Sequence, residues 1–212
     1  MKKLLPIILI ALTACSQGWT AWEREVIGRQ DSLMYVTTIG ADSAILRTVS
    51  IPVPPELLKS RELKDLTGKM LYTVEHPSQD GVGIAAPQVG INRRIAWVMR
   101  YDKPGKPFEC FVNLQIDSLW GEMTHGPEGC LSVPPMRGLV PRYSNVKISY
   151  TDLQTGKTAS EEVEGYTAII FQHECDHLDA TLYIDRADTV FVSEDWARER
   201  ETFSYDKPSW WK

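Results

Sequence analysis

The five residues His173-Glu174-Cys175-Asp176-His177 constrain this chain more than any other stretch. A helix through them sets two imidazoles one turn apart on the same face, with a carboxylate beside the first. Neutral imidazole is the commonest protein ligand for a divalent metal, and a free carboxylate next to such an ion can take a proton from water. The pattern points to metal-assisted hydrolysis. Its bland competitors are a chance match and a satisfied core histidine, so the reading needs a third ligand. Helical placement has independent support. Tyr166, Ala168, Ile169, Ile170 and Phe171 lead into the histidines without an internal Gly or Pro, and Leu178 and Ala180 follow. A helix apolar on most sides is a buried one, and burial holds ligands rigidly.

The third ligand is offered by Glu128-Gly129-Cys130-Leu131-Ser132, which follows a stretch, Met123 to Pro127, that reads as a loop. Cysteine thiolate is a soft donor suited to zinc or ferrous iron, although a single free cysteine is ordinarily a small buried hydrophobe. A further stretch, Gly81 to Gly90, carries glycines where a backbone can take positive φ or approach a ligand closely; alone it is a turn into an apolar segment. In this order the three stretches resemble the signature motifs of the peptide deformylases: Gly-x-Gly-x-Ala-Ala-x-Gln, Glu-Gly-Cys-Leu-Ser and Gln-His-Glu-x-Asp-His-Leu, the last completed by Gln172 and Leu178. The resemblance spans roughly Ile45 to Arg186. It departs at Ala180, where the family continues with Gly and a small packing change is expected, and in the long extensions at both ends.

A metal on Cys130, His173 and His177 would keep one open position for water, with Glu174 accepting the water's proton and later protonating the leaving amine. The charge that develops on the former carbonyl oxygen calls for a fixed donor. The resemblance assigns that to the Gln88 side chain and the Leu131 backbone N–H. It also implies the substrate, an N-formyl group on the N-terminal methionine of a peptide, released as formate. Val82 and Ile169 would line the methionine pocket, and Gly83 would let the peptide backbone approach. One divalent ion per chain is implied, with iron favoured and zinc accepted by the same donors. A zincin-type metallopeptidase would share the helix motif. The metzincin pattern needs Gly and His where Ala180 and Tyr183 stand, and a version recruiting Glu194 or Glu199 leaves Cys130 and Gln88 without a role. A non-catalytic envelope lipoprotein that binds formylated peptides is a third class, against which the intact Glu174 weighs.

The compartment is read from the first residues. Lys2 and Lys3, an apolar run from Leu4 to Leu12, and Leu12-Thr13-Ala14-Cys15 resemble a bacterial lipoprotein signal, cleaved before a Cys15 that then carries lipid. The run is too short to span a bilayer as a helix. Competing readings are a hydrophobic anchor, or initiation at Met34 with a cytoplasmic location. The expected organisation is a signal over 1–14, an N-terminal extension over 15–44, a catalytic domain over 45–186 and a C-terminal extension over 187–212. The protein is expected in the cell envelope, with the membrane as partner through its lipid.

With 43% hydrophobic residues in 212, the chain suffices for one well-buried domain, and a net charge of −5 argues against a nucleic-acid partner. The expected fold is α+β: one domain with antiparallel strands around a central helix carrying the metal motif. Strands are expected at Arg94–Met99, Cys110–Leu114 and Val146–Leu153, the last paired with Lys157–Val163, and a helix over Pro54–His76. Trp19 to Ile39 is either a tether or a packed segment. Ser193-Glu194-Asp195 could cap a helix over Trp196–Thr202, and the terminal Trp210 and Trp211 are expected to pack on the domain.

Overall fold

The computed structural model describes residues 18–194 and 208–211. Six antiparallel strands form one sheet: β1 Gly83–Ala85, β2 Ile95–Met99, β3 Phe108–Gly129, β4 Met136–Thr151, β5 Thr158–Glu164 and β6 Thr189–Val192. They run β1-β2-β3-β4-β5 across the sheet, with β6 paired to β4. The helices are α1 Ala21–Ile27, α2 Ser43–Leu46, α3 Arg61–Glu75 and α4 Gly165–Leu178.

The alternation along β2 shows how the core divides. Ile95 and Trp97 face a cluster built with Leu63, Leu66, Met70 and Val74 of α3. Ala96 and Val98 face the other way, against Ala168, Ile170, Phe171 and Cys175 of α4. Successive strand side chains point to opposite faces, so both faces of the inner strands are covered, by α1 and α3 on one side and α4 on the other. Ten of the 14 residues of α4 are buried, as its apolar sequence requires. Gln172 ties this helix to β4 as a strand neighbour would: its Nε2 donates to Tyr143 O at 2.8 Å and its Oε1 accepts from Tyr143 N–H at 3.1 Å.

Several expected boundaries move. The helix expected from Pro54 starts at Arg61, because Pro54 and Pro55 open a 3-10 turn and Ser60 caps α3, its Oγ accepting from Leu63 N–H at 3.1 Å. Residues 123–127 are strand rather than loop, and the short strand expected at 110–114 is part of the 22-residue β3. Strand β2 covers β3 only as far as Val112, and beyond it the second edge of β3 carries no strand among the described residues. An edge is where a residue such as Pro127 is tolerated.

The N-terminal segment is packed. Val26 and Ile27 of α1 are buried, and the buried Glu23 carboxylate accepts from Arg93 Nε at 2.6 Å and Nη2 at 2.9 Å. Residues 34–44, assigned to the extension from sequence, bond to the motif stretches: Thr37 N–H to Gln88 O at 2.8 Å and Ile39 N–H to Ser132 O at 2.9 Å. Trp211 packs as expected, its ring centroid 5.1 Å from Trp22 and 4.8 Å from Tyr35. The departure at Ala180 acts on the backbone rather than on packing: its φ of +60° is the left-handed conformation that glycine takes freely and alanine at a cost. Cys15 and the helix expected over 196–202 lie outside the described residues. No described helix is long and apolar enough to cross a membrane.

Candidate active site

Strand β3 delivers Cys130 at its end, and α4 presents His173 and His177 one turn apart. The three donor atoms lie within 4.8 Å of one another. Cys130 Sγ is 3.2 Å from His177 Nε2, and both residues are buried. Nδ1 of His173 is 2.8 Å from Glu128 Oε2. A carboxylate can only accept, so the proton sits on Nδ1 and the Nε2 lone pair is free to coordinate. One oxygen of Glu174, Oε2, is buried without a hydrogen-bond partner, as suits a carboxylate whose partner is a water. A thiolate with two imidazoles, one of them oriented by Glu128, suits a zinc or ferrous ion, and these residues fit one. The alternative ligand Glu194 stands exposed beyond β6 and has no place in this donor set, and Glu199 lies outside the described residues.

Burial pushes the Glu174 carboxyl up to about 7, although the neighbouring His173 works the other way. Glu128 goes down to about 2: burial would raise it, but the bonds from His173 and Arg142 outweigh burial. Arg142 donates through Nε and Nη2 to both Glu128 oxygens at 2.7 and 3.0 Å, and through Nη1 to Asp176 Oδ2 at 2.6 Å. Arg186 donates to Asp176 from outside, through Nε and Nη2, both at 2.7 Å. The orientation of His173 is thus passed back through a carboxylate to a buried guanidinium.

The donors open on a cleft of about 580 Å³ whose lining includes Val82, Gly83, Gln88, Leu131, Ile169, His173 and Glu174; His177 sits behind it. At Gly83 an added Cβ would stand 2.4 Å from Glu174 Oε1 and 3.0 Å from Ile170 Cγ2, so the glycine makes room for the base itself. Gln88 is held by its own turn. Its Oε1 accepts from Ala85 N–H at 2.9 Å, which aims Nε2 at Ser132 Oγ, 3.3 Å away, and at Cys130 Sγ, 3.5 Å away. The structure thus brings together every site residue expected from the three motifs. The supporting roles of Glu128, Asp176, Ser132 and Arg142 were not foreseen. The first three stood inside the motifs without a role. Arg142 had no local signal, since only the β3–β4 register, which sets it opposite Thr124, brings it to the site. Tyr166, Arg137 and Thr124 also line the cleft and were likewise not foreseen.

A family profile described as polypeptide deformylase matches residues 34–191. Peptide deformylase 2 of Bordetella bronchiseptica is 41% identical over 146 residues, covering 66% of this chain and 81% of that protein. The peptide deformylase of Leptospira biflexa is 38% identical over 149 residues, covering 67% and 82%. Among solved structures, the actinonin-bound class I type b peptide deformylase of Acinetobacter baumannii is 38% identical with a TM-score of 0.65, covering 74% of this chain and 99% of that one.

Proposed function

The chain belongs to the polypeptide deformylase family, and from that premise we propose how its own residues carry out the hydrolysis. It is a metal-dependent hydrolase that removes the formyl group from formylmethionine at the N-terminus of peptides. The clustering of Cys130, His173 and His177 donors within 4.8 Å carries the assignment of these three as ligands. These three residues would hold the ion, which when bound would supply Lewis-acid chemistry to water and to the formyl carbonyl. Ferrous iron is the favoured ion and zinc the alternative.

Glu174, poised near neutrality, removes the proton from the attacking water and delivers it to the leaving nitrogen, so that the C–N bond breaks into formate and a free amine. Gln88 has two N–H donors; one stays on Ser132 while the other turns from Cys130 to the oxygen on which charge develops, joined by the Leu131 N–H. The Acinetobacter enzyme has been solved with Met-Ala-Ser bound. In this chain the same peptide would lie in the cleft with its first side chain against Val82 and Ile169 and its backbone along Gly83. Formate release from formyl-Met-Ala-Ser by the purified protein tests the reading. Glu174→Gln should lower kcat by about 10²–10⁴-fold while metal content stays unchanged, and full activity in that variant would remove Glu174 from the mechanism.

The N-terminus supports a lipid-anchored envelope location, because Lys2-Lys3, the apolar run and Cys15 occur in the order that export and lipidation require. Substrates there would be formylated peptides or other N-acylated peptides outside the cytoplasm. Cell fractionation of parent and Cys15→Ser decides: if both are full-length and soluble in the cytoplasm, the enzyme acts on nascent chains instead.

A further inference from the structure

We propose that the face around Val49, Ile51, Pro52 and Pro55 rests on the bilayer that receives the Cys15 lipid, with these apolar side chains in the headgroup layer. The proposal rests on the lipoprotein reading and adds an orientation to it. Gly18 is fastened to the domain: its carbonyl accepts from Arg93 Nη2 at 2.9 Å, and that guanidinium, buried on Glu23, also reaches Pro52 O at 3.5 Å. The next residue, Trp19, is buried, and its indole N–H donates to Ser60 Oγ at 3.1 Å. Only Ser16 and Gln17 separate Cys15 from Gly18. Three Cα-to-Cα steps reach at most about 11 Å, so a lipid on Cys15 keeps the surroundings of Gly18 at the membrane and gives the domain no long tether.

Those surroundings are apolar. Ile51 pairs with Arg93 in a parallel bridge and is 38% exposed, Val49 is 59% exposed, and Pro52 and Pro55 are exposed beside them. Most of the nearby charges balance, since Arg61 pairs with Asp65 at 3.3 Å and Lys59 and Lys64 stand among Glu56 and Glu62; Arg24, beside Gly18, adds one cation, too few for a polybasic contact. The contact is therefore apolar insertion rather than attraction to anionic lipid. None of these residues lines the catalytic cleft.

The test uses the lipidated mature protein in vesicles with a nitroxide near the headgroups. Bimane is placed at Val49→Cys and, as a control, at Glu122→Cys, nine residues along β3 from Asn113, which holds Val53. Nine strand residues span at most about 30 Å, and Glu122 belongs to no part of the proposed face. Quenching at 49 should exceed that at 122 by about threefold or more and survive high salt, as apolar burial does. Equal quenching on a protein whose Cys15 carries lipid by intact mass overturns this orientation and leaves the lipoprotein reading standing. A difference abolished by salt overturns the apolar contact. Absence of lipid on Cys15 overturns both.

Discussion

Arg100 and Arg142 are both buried, and each gathers carboxylates, but the acids around them differ in exposure. Arg142 holds Glu128 and Asp176, whose side chains are 10% and 9% exposed. Arg100 holds Asp102, Glu109 and Glu161, which remain 22%, 32% and 26% exposed. Water relieves the second group of acids and hardly reaches the first. Around Arg100 the bonds join β2, β3 and β5, and Asp102 N–H adds Thr167 of α4 at 3.1 Å. That cluster is a staple. Around Arg142 the chain of bonds continues through Glu128 to His173, so a change in the guanidinium is felt at a metal ligand.

Replacing each arginine by Met is the strongest way to break this comparison. Arg142→Met leaves the buried Glu128 with His173 alone and Asp176 with Arg186 alone, and should cost about 3–5 kcal/mol. Arg100→Met leaves acids that water can reach and should cost about 1–3 kcal/mol. Equal losses in urea unfolding would erase the distinction. Next in size, Glu128→Gln should weaken metal binding by about 10–100-fold in chelator competition, while Asp102→Asn leaves it unchanged.

The acid limb of stability sharpens the contrast further. Asp102 is held at about 2 rather than 3.8, chiefly by the hydrogen bonds of Arg100, with burial opposing. A carboxylate depressed in the folded state stabilises it above its unfolded pKa, and that contribution disappears as pH falls through the folded value. The urea midpoint of the parent should therefore drop between pH 4 and pH 2, and that of Asp102→Asn should drop less. The smallest effect is at Ala180, where Ala180→Gly relieves a positive φ and should add about 0.5–1 kcal/mol, read as a rise in Tm.

The sequence disclosed the site well because its carriers are local. His173, Glu174 and His177 sit within one helical turn, and Cys130 and Gln88 lie in short stretches whose neighbours orient them. The catalytic helix was legible from its apolar run for the same reason. What escaped depends on distance along the chain. Arg142 reaches Glu128 only across a strand register that no residue pattern records. The outer half of β3 shows no core-facing alternation, and Gly121 and Pro127 within it mimic loop punctuation. Ala180 looked like a packing change because a dihedral angle leaves no trace in side-chain chemistry.

The ring of Trp211 lies where a side chain on Gly90 would be, an added Cβ standing 2.0 Å from it, and it closes against Trp22 and Tyr35. Gly90 thus serves as the socket for the Trp211 ring. Trp22 and Trp211 are 189 positions apart in the sequence, and a contact across so long a stretch of chain carries a large closure entropy. The aromatic cluster therefore cannot be completed until the chain has been made as far as Trp211. Loss of that ring would present Trp22 and Tyr35 to water, so α1 is sealed onto the domain by a residue far from it in sequence.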